Sequence, residues 1–504
     1  LNPKRRVVLV LAVVALLAVP SPASALKFTK SSQSPIAAAN PNTVATADFD
    51  EDGKDDLAIA TSGDFNGADY AGGGATILLG SSTGTLSPAA ATPLLAGQNV
   101  RYLETGLVNN DAHADLIAGT SAGTWTAFLG NGSGGFAAQT PFALEAAYTS
   151  NGTALGDVDG DGDPDLVTSA INYYSVALNN GSGGFTATAG SPVSTDPVSG
   201  EGNDELNNVA IGDFDKNGKA DLAFPRQGLP GDPEYLIAKG NGDGTFATVS
   251  RTTVADLTKS LQAADLNGDE YSDLVLFQPF GQRSLLGNAS APPLTPTGTD
   301  IASDYGYPVD STLADMNNDG KLDTISTGFT NHSANVALGN GLGGFSLAPG
   351  SPYAMGDNGN MEGITVGDFN GDGAKDIAGS NQYGDDSVSI LISTPEPKPA
   401  KLTLKLTGTK AASNGSKLKL TATTKNIGET DARALKLKTI VPKRLAKPPK
   451  AISAGTLAAG KKTKLHIKVR LKPAAAGKKV TVNVKASAKG VKTVAAKVRV
   501  KIPN

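Results

Sequence analysis

Apolar residues occur in short runs, and their period changes once along the chain. Up to about residue 393 the runs read DLAIATS, DLVTSA, DLAF and DLVLF, each bounded by turn-forming residues. Short runs of this kind, leading out of Asp-Gly-rich loops, predict buried β-strands. Beyond residue 400 the period is two. The segments KLTLKL, KLKLTATT, KLHIKVRLK, KVTVNVKASAK and VAAKVRVKI place apolar side chains on one face and lysines on the other. That alternation predicts about seven strands of a β-sandwich of roughly 100 residues. Between the two regions, Pro395, Pro397 and Pro399 mark a linker over 394–399. It should be stiff, because each proline fixes its φ and removes an amide donor. The chain is therefore expected to be all-β.

Between the apolar runs of the first region one polar pattern returns: Asp-x-Asp/Asn-x-Asp/Asn-Gly-x-x-Asp. Strong copies begin at Asp48, Asp157, Asp213, Asp315 and Asp368, and a sixth at Asp265 has Glu270 in place of the glycine. A seventh, from Leu107, keeps Asn109, Asp111 and Asp115 but lacks the first carboxylate and has Ala112 at the glycine position. In chain order the starts are separated by 59, 50, 56, 52, 50 and 53 residues. This is close to the length of a four-stranded propeller blade. Oxygen-bearing side chains at positions 1, 3 and 5 of a tight loop converge on one point, Gly at position 6 permits the bend, and Asp at position 9 closes the shell. A hard, all-oxygen, anionic cage suits Ca²⁺ better than Mg²⁺, which keeps its waters. An EF-hand would need Glu at position 12, where these loops carry Ile59, Thr168, Phe224, Leu276, Ser326 and Gly379.

A second element lies between the loops: GNGSGGF ending at Phe136, NNGSGGF at Phe185, GNGDGTF at Phe246 and GNGLGGF at Phe345. Gly-Asn and Gly-Gly between apolar runs are hairpin signals, because tight hairpins need positive φ. The last unit, VSILIS, stops without such a hairpin. The missing strand is expected from LKFTKSSQSP, where Phe28 and Ser34-Pro35 parallel Phe345 and Ser351-Pro352. The prediction is a seven-bladed β-propeller over 26–393 closed by its N-terminal strand, followed by an immunoglobulin-like β-sandwich over 400–504.

These motifs resemble the FG-GAP and VCBS repeats, which build the calcium-binding propeller of integrin α chains. The resemblance implies calcium ligands at Asp48, Asp50, Asp52 and Asp56; Asp157, Asp159, Asp161 and Asp165; and Asp213, Asp215, Asn217 and Asp221. It implies them also at Asp265, Asn267, Asp269 and Asp273; Asp315, Asn317, Asp319 and Asp323; and Asp368, Asn370, Asp372 and Asp376. The repeat at Leu107 departs from the pattern and is expected to hold no ion, leaving about six sites with a structural role. The C-terminal stretches KNIGETDARALKLKTIVP and ISAGTLAAGKKTKLHIKV resemble DUF11 and CARDB domains, which are immunoglobulin-like.

Composition narrows the chemistry. There is no cysteine, so no disulfide or thiolate site, and the three histidines, His113, His332 and His466, are scattered. Residues 1–25 read as a secretory signal, with basic Lys4, Arg5 and Arg6, an apolar run from Val7 to Val19, and Ala23-Ser24-Ala25 before Leu26. A secreted or surface-associated protein without a membrane span or lipid anchor is the expectation. The net charge of -4 conceals a split: from Lys398 onward there are 28 Lys and Arg against Glu429 and Asp431 alone, so the two regions carry about -30 and +26.

On the face opposite the calcium loops, the longer connections are expected to carry Phe65, Tyr70, Tyr148, Tyr173, Tyr174, Arg226, Tyr235, Arg283, Tyr305, Tyr307, His332, Tyr353 and Tyr383, either packed under their own loops or presented to an extracellular carbohydrate or protein ligand. The basic region is expected to meet an anionic cell-wall polymer, with no specific nucleic acid, since no recognition helix or interleaved aromatic set is present. Adhesion or ligand binding is the primary reading. No pair on the irregular face is spaced as an acid and a base, and the alternative is a polysaccharide-degrading lyase or hydrolase on the same scaffold.

Overall fold

The computed structural model describes residues 26–502, except 66–69, 91, 145–151, 196–204, 228–232, 248, 255, 291, 298–300, 303–305, 357–359, 383–385, 395–400, 408–416, 429, 477 and 490. The segment read as a signal, the prolines of the linker, and Tyr148, Tyr305 and Tyr383 lie outside the described residues. The chain divides into two compact units, Leu1–Pro395 and Glu396–Asn504. Among the described residues the only helical turn is Pro473–Ala475, and no helix is long and apolar enough to cross a membrane.

The first unit contains seven small antiparallel sheets of four or five strands and one two-stranded ribbon. Most sheets repeat the order first strand, loop, second strand, third strand, Gly-rich hairpin, fourth strand. Val100–Gly106, Asp115–Thr120, Thr124–Gly130 and Phe136–Ala138 are one example. The first strands, Pro41–Ala47, Val100–Gly106, Gly152–Gly156, Ala210–Gly212, Ser260–Ala264, Ser311–Ala314 and Asn360–Gly367, each lie beside the next, and the last lies beside the first.

Each sheet packs its faces against its neighbours. One core joins Phe49, Ala58 and Ile77 to Leu103, Leu116 and Phe128 of the next sheet; another joins Val167, Tyr174 and Val176 to Leu222, Phe224 and Leu236. A second strand buried on both faces must be apolar on both, and Asp56–Thr61, Asp115–Thr120 and Asp165–Ala170 are buried at every position. Trp125 is fully buried and stacks on Tyr102 at 5.8 Å.

The N-terminal strand Phe28–Lys30 pairs with Ser387–Ser393, Phe28 opposite Ser393, and Ile36–Ala37 pairs with the other end of the same strand. A short fifth strand, unforeseen in the sequence, recurs at Phe142–Ala143, Val193–Ser194, Ile301–Ala302 and Tyr353–Ala354. The Ser-Pro pair has a structural use. The hydroxyls of Ser34, Thr92, Ser191 and Ser351, each before a proline, accept the N–H of Ile390, Ile77, Val176 and Val336 at 2.8–3.0 Å. The backbone donor where the third strand changes partner is thereby satisfied.

The second unit has two four-stranded antiparallel sheets, eight strands in place of the seven expected. One runs Leu402–Thr407, Lys417–Asn426, Lys462–Leu471, Ala446–Lys447; the other runs Ile452–Leu457, Ala432–Ile440, Lys479–Ala488, Val491–Lys501. Their inward residues, among them Leu418, Leu420, Leu435, Leu437, Ile467, Val469, Val482 and Val484, form one core. The short strand Ala446–Lys447 lacks an alternating run of its own, which is why the pattern left it out.

Candidate metal centres

All seven loops join a first strand to a second and share a gradient of burial. Position 2, an apolar residue in every copy (Phe49, Val108, Val158, Phe214, Leu266, Met316, Phe369), is buried, as is the position-9 aspartate. Positions 1 and 3 are mostly half-buried, and position 5 is exposed.

The position-9 carboxylates, Asp56, Asp115, Asp165, Asp221, Asp273, Asp323 and Asp376, are 0% exposed. One oxygen of each accepts the N–H of position 2, as Asp165 does from Val158 at 2.9 Å and Asp56 from Phe49 at 2.8 Å. The other oxygen accepts an N–H at the end of the third strand, Asn179 at 2.9 Å for Asp165 and Gly80 at 2.7 Å for Asp56. The repeat at Leu107 keeps both bonds: Asp115 accepts from Val108 at 2.8 Å and Gly130 at 2.9 Å. This aspartate therefore fastens loop to sheet. Sequence reasoning gave it only a ligand's role, although its retention beside Leu107 and Ala112 was a signal of another.

The remaining positions shape the loop. Asp48 accepts the N–H groups of Asp52 and Gly53 at 3.1 and 2.9 Å, and Asp315 those of Asp319 and Gly320 at 2.9 and 2.7 Å. Position 3 accepts from position 5, and position 5 from position 7, as in Asp161 to Asp159 at 3.1 Å and Asp163 to Asp161 at 2.9 Å. The bend needs positive φ at position 6, where Gly53 has 84° and Glu270 is forced to 69°. It needs it at position 4 as well, where Glu51 and Lys216 both have 58°. Asn110 and Ala112 of the second repeat do not take this conformation.

Ligand oxygens from Asp48, Asp50 and Asp56 lie within 4.8 Å of one another, as do those of Asp157, Asp159 and Asp165, and of Asp213, Asp215 and Asp221. Four converging side chains were expected. The cluster of carboxylates comprises positions 1, 3 and 9, without Asp52 or Asp161. Position 5 is turned to other work: Asp52 accepts from the Lys54 N–H and pairs with the Lys54 ammonium, and Asn217 accepts from the Lys219 N–H at 2.9 Å. In the loops at Asp265, Asp315 and Asp368 position 3 is Asn267, Asn317 or Asn370, and the acids at positions 1, 5 and 9 (Asp265, Asp269, Asp273; Asp315, Asp319, Asp323; Asp368, Asp372, Asp376) form no such three-carboxylate cluster.

Burial, opposed by the backbone N–H bonds, pushes the position-9 carboxyls up, to about 7 for Asp56 and Asp376 and about 6 for Asp165, Asp221, Asp273 and Asp323. Asp50 and Asp159 are also raised, by desolvation and by neighbouring aspartates. Desolvation raises Asp265 too, but the N–H groups of Glu270, Gly268, Asn267 and Asp269 outweigh it and hold that carboxyl low. The donor set fits a hard cation. Asp215 supplies the most direct sign, because its Oδ1 is buried without a hydrogen-bond partner while its Oδ2 takes the Lys239 ammonium at 2.8 Å.

The loops also join neighbouring sheets. At three junctions the Gly-rich hairpin of the following sheet donates to a position-2 carbonyl: Gly134 to Phe49 at 2.9 Å, Gly183 to Val108 at 2.9 Å and Gly244 to Val158 at 3.3 Å. Glycine is needed there for its φ, which is 76° at Gly183.

The irregular-face residues are not one group. Tyr174 and Tyr235 are 1% and 2% exposed and belong to cores between sheets, contrary to the alternative that they face a ligand. Both sit in strands, Tyr173–Asn179 and Glu234–Ala238, at inward positions. Tyr353 packs edge-on against Phe28 at 4.7 Å. Tyr173, Arg226, Arg283, Tyr307 and His332 are half-buried. None of these residues lines the cavity of about 580 Å³ that the first strands enclose.

That cavity carries chemistry the sequence reading missed: Arg101, Glu104, Lys259, Asp310 and Glu362 all border it. Removal from water pushes Glu104 to about 7 and Asp310 to about 6, and raises Glu362. Thr153 donates to Glu104 Oε1 at 2.5 Å. The available signal was an acid inside a first strand, in RYLETG.

Among curated proteins none matches the chain. Solved structures similar to it include a lectin of Agrocybe aegerita that recognises non-reducing terminal N-acetylglucosamine, at 19% identity and TM-score 0.42 over 73% of this chain and 94% of that one. BBS1N, solved in complex with ARL6DN, is similar at 11% identity and TM-score 0.44, over 73% and 96%. Raptor of Chaetomium thermophilum is similar at 12% identity and TM-score 0.44, over 74% of this chain and 29% of that one. The FG-GAP-like repeat family matches residues 108–168 and 315–379, spans that contain the loops at Asp157, Asp315 and Asp368 and most of the loop at Leu107. The chain thus carries FG-GAP-like repeats in two regions of an all-β framework.

Proposed function

We propose that residues 26–393 form a closed seven-bladed propeller whose loops at Asp48, Asp157, Asp213, Asp265, Asp315 and Asp368 hold Ca²⁺. In this reading the protein is secreted and binds an extracellular carbohydrate or protein ligand in adhesion. Residues 400–504 act as an immunoglobulin-like module for anionic surfaces. The observation that carries the metal assignment is the meeting of positions 1, 3 and 9 within 4.8 Å in three loops. Three carboxylates so close repel strongly, and a divalent cation turns that repulsion into attraction. Because the loops at Asp48 and Asp157 also receive the hairpin of the next sheet, an ion in either stabilises the junction between blades. The test is a glycan and matrix-protein array probed with the full chain in calcium and in chelator. Saturable binding lost on chelation supports the reading; an unmoved melting midpoint in chelator, with no ligand retained, refutes it.

A second reading is a polysaccharide-degrading enzyme. It is favoured by Glu104 and Asp310 bordering one cavity with carboxyls held toward the protonated form, as a general acid requires. Release of reducing ends from acidic and neutral polysaccharides, abolished in Glu104→Gln, would establish it. No release by the wild type would dismiss it.

A further inference from the structure

The two sheets of the C-terminal unit differ in how they arrange their lysines. In the sheet containing Lys417–Asn426 and Lys462–Leu471, basic residues stand directly opposite one another across the central strand pair. Lys417 faces Arg470, Lys419 faces Lys468, and Lys425 faces Lys462. All six are exposed, and both strands lack any acidic residue. Opposed Cα atoms in such a pair are about 4.5–5.5 Å apart, and like charges so placed destabilise a sheet. The unit has few acids to neutralise them: Glu396 at its N-terminal end, Glu429 and Asp431, and Asp431 lies outside both strands, accepting the Ala459 N–H at 3.2 Å. On the other sheet Lys436 faces Ser487, Lys497 faces Asn483 and Arg499 faces Thr481, while the like-charged pairs Lys438 with Lys485 and Lys479 with Lys501 fall on two different strand pairs.

We propose that the outer face of the sheet built on Lys417–Asn426 and Lys462–Leu471 docks a linear poly(polyol phosphate), a phosphodiester polymer without bases. This rests on the reading of residues 400–504 as a module for anionic surfaces, and names the face and the polymer. Charge complementarity argues for a polyanion, since one anion lying between two facing ammonium groups converts their repulsion into two attractions. The residue types argue for phosphodiester. Five of the six paired cations are lysines, which hold a phosphate as point charges without needing the bidentate fork by which arginine grips carboxylate and phosphate alike. Residues 401–504 contain no Phe, Tyr or Trp, so neither sugar rings nor nucleobases have an aromatic platform to stack on. A phosphodiester carries a full charge on every repeat and two free oxygens to bridge a facing pair.

The test uses the full chain and synthetic poly(glycerol phosphate), with polygalacturonate and single-stranded DNA of matched charge as comparators, at several salt concentrations. The wild type binds poly(glycerol phosphate) most tightly, with log K falling linearly in log salt. The variant Lys417→Gln, Lys419→Gln, Lys468→Gln, Arg470→Gln loses affinity at least about tenfold, and its salt slope falls by about 3. Its melting midpoint does not fall, because the substitutions relieve repulsion, so lost binding is not lost folding. The control Lys436→Gln, Lys438→Gln, Lys485→Gln, Lys497→Gln changes affinity by less than about threefold on the same argument. Equal losses in the two variants overturn the choice of face while leaving the module's reading intact. Tighter binding of polygalacturonate or DNA overturns the choice of polymer. Absence of binding to all three overturns this proposal and the module's reading together.

Discussion

The loops Asp157–Asp165 and Leu107–Asp115 stand side by side in consecutive sheets and share a framework without sharing a site. Each anchors an apolar position 2 and ties its position-9 carboxylate to two backbone donors. Only the first gathers three carboxylates, and only the first turns through positive φ at Gly160 and Gly162. The contrast separates two jobs that one aspartate performs. Fastening loop to sheet needs position 9 alone; collecting a cation needs positions 1 and 3 with it.

The largest expected effect tests the shared job. In calcium-free protein burial raises the position-9 carboxyls above the 3.8 of the unfolded chain, to about 7 for Asp56 and about 6 for Asp165 and Asp221, so the native state binds more protons between those values. Stability should therefore fall by several kcal/mol as pH rises from about 4 to 7, visible in urea unfolding under chelator. Calcium should flatten that slope by stabilising the charged form. A calcium-free slope of the opposite sign would break the burial argument.

Next in size, Asp115→Ala and Asp165→Ala under chelator should each lose about 3 kcal/mol, because each strands two buried N–H groups. A much smaller loss at Asp115 would mean that the framework depends on the ion after all. Calcium should then divide the pair. Asp157→Ala should lose about 2.7 kcal/mol of calcium-dependent stabilisation at a hundredfold excess over the dissociation constant, and Asp111→Ala none. The reverse construction, Leu107→Asp with Ala112→Gly, should add one bound ion per chain by calorimetric titration. The smallest effect is at the contact between loops, where His113 Nδ1 lies 2.5 Å from Glu51 Oε1 and that carboxylate raises the imidazole pKa. A raised histidine contributes in mild acid and not in mild base, so His113→Ala should lower the midpoint slightly at the acid end alone.

Much of this architecture was legible because it repeats. The 50–59-residue spacing located every loop, Gly-rich hairpins located the third and fourth strands, and the absence of one hairpin foretold the pairing of Phe28–Lys30 with Ser387–Ser393. What escaped notice depends on contacts between units. That Gly183 serves Val108 in the preceding sheet cannot be read from a local turn signal. Tyr174 and Tyr235 looked like loop aromatics because each stands one residue into its strand, beside a connection, yet both are buried between sheets. The double use of Asp165 was hidden because a ligand role already accounted for it.

The pairing of Phe28–Lys30 with Ser387–Ser393 joins segments more than 350 residues apart. When the chain folds from its N-terminal side, the strand Phe28–Lys30 waits for a partner near the end of the unit, so six sheets can be complete while the seventh still shows a raw edge. The step that seals the molecule is then its longest-range contact, and a nascent chain stalled before residue 387 offers that edge to its neighbours.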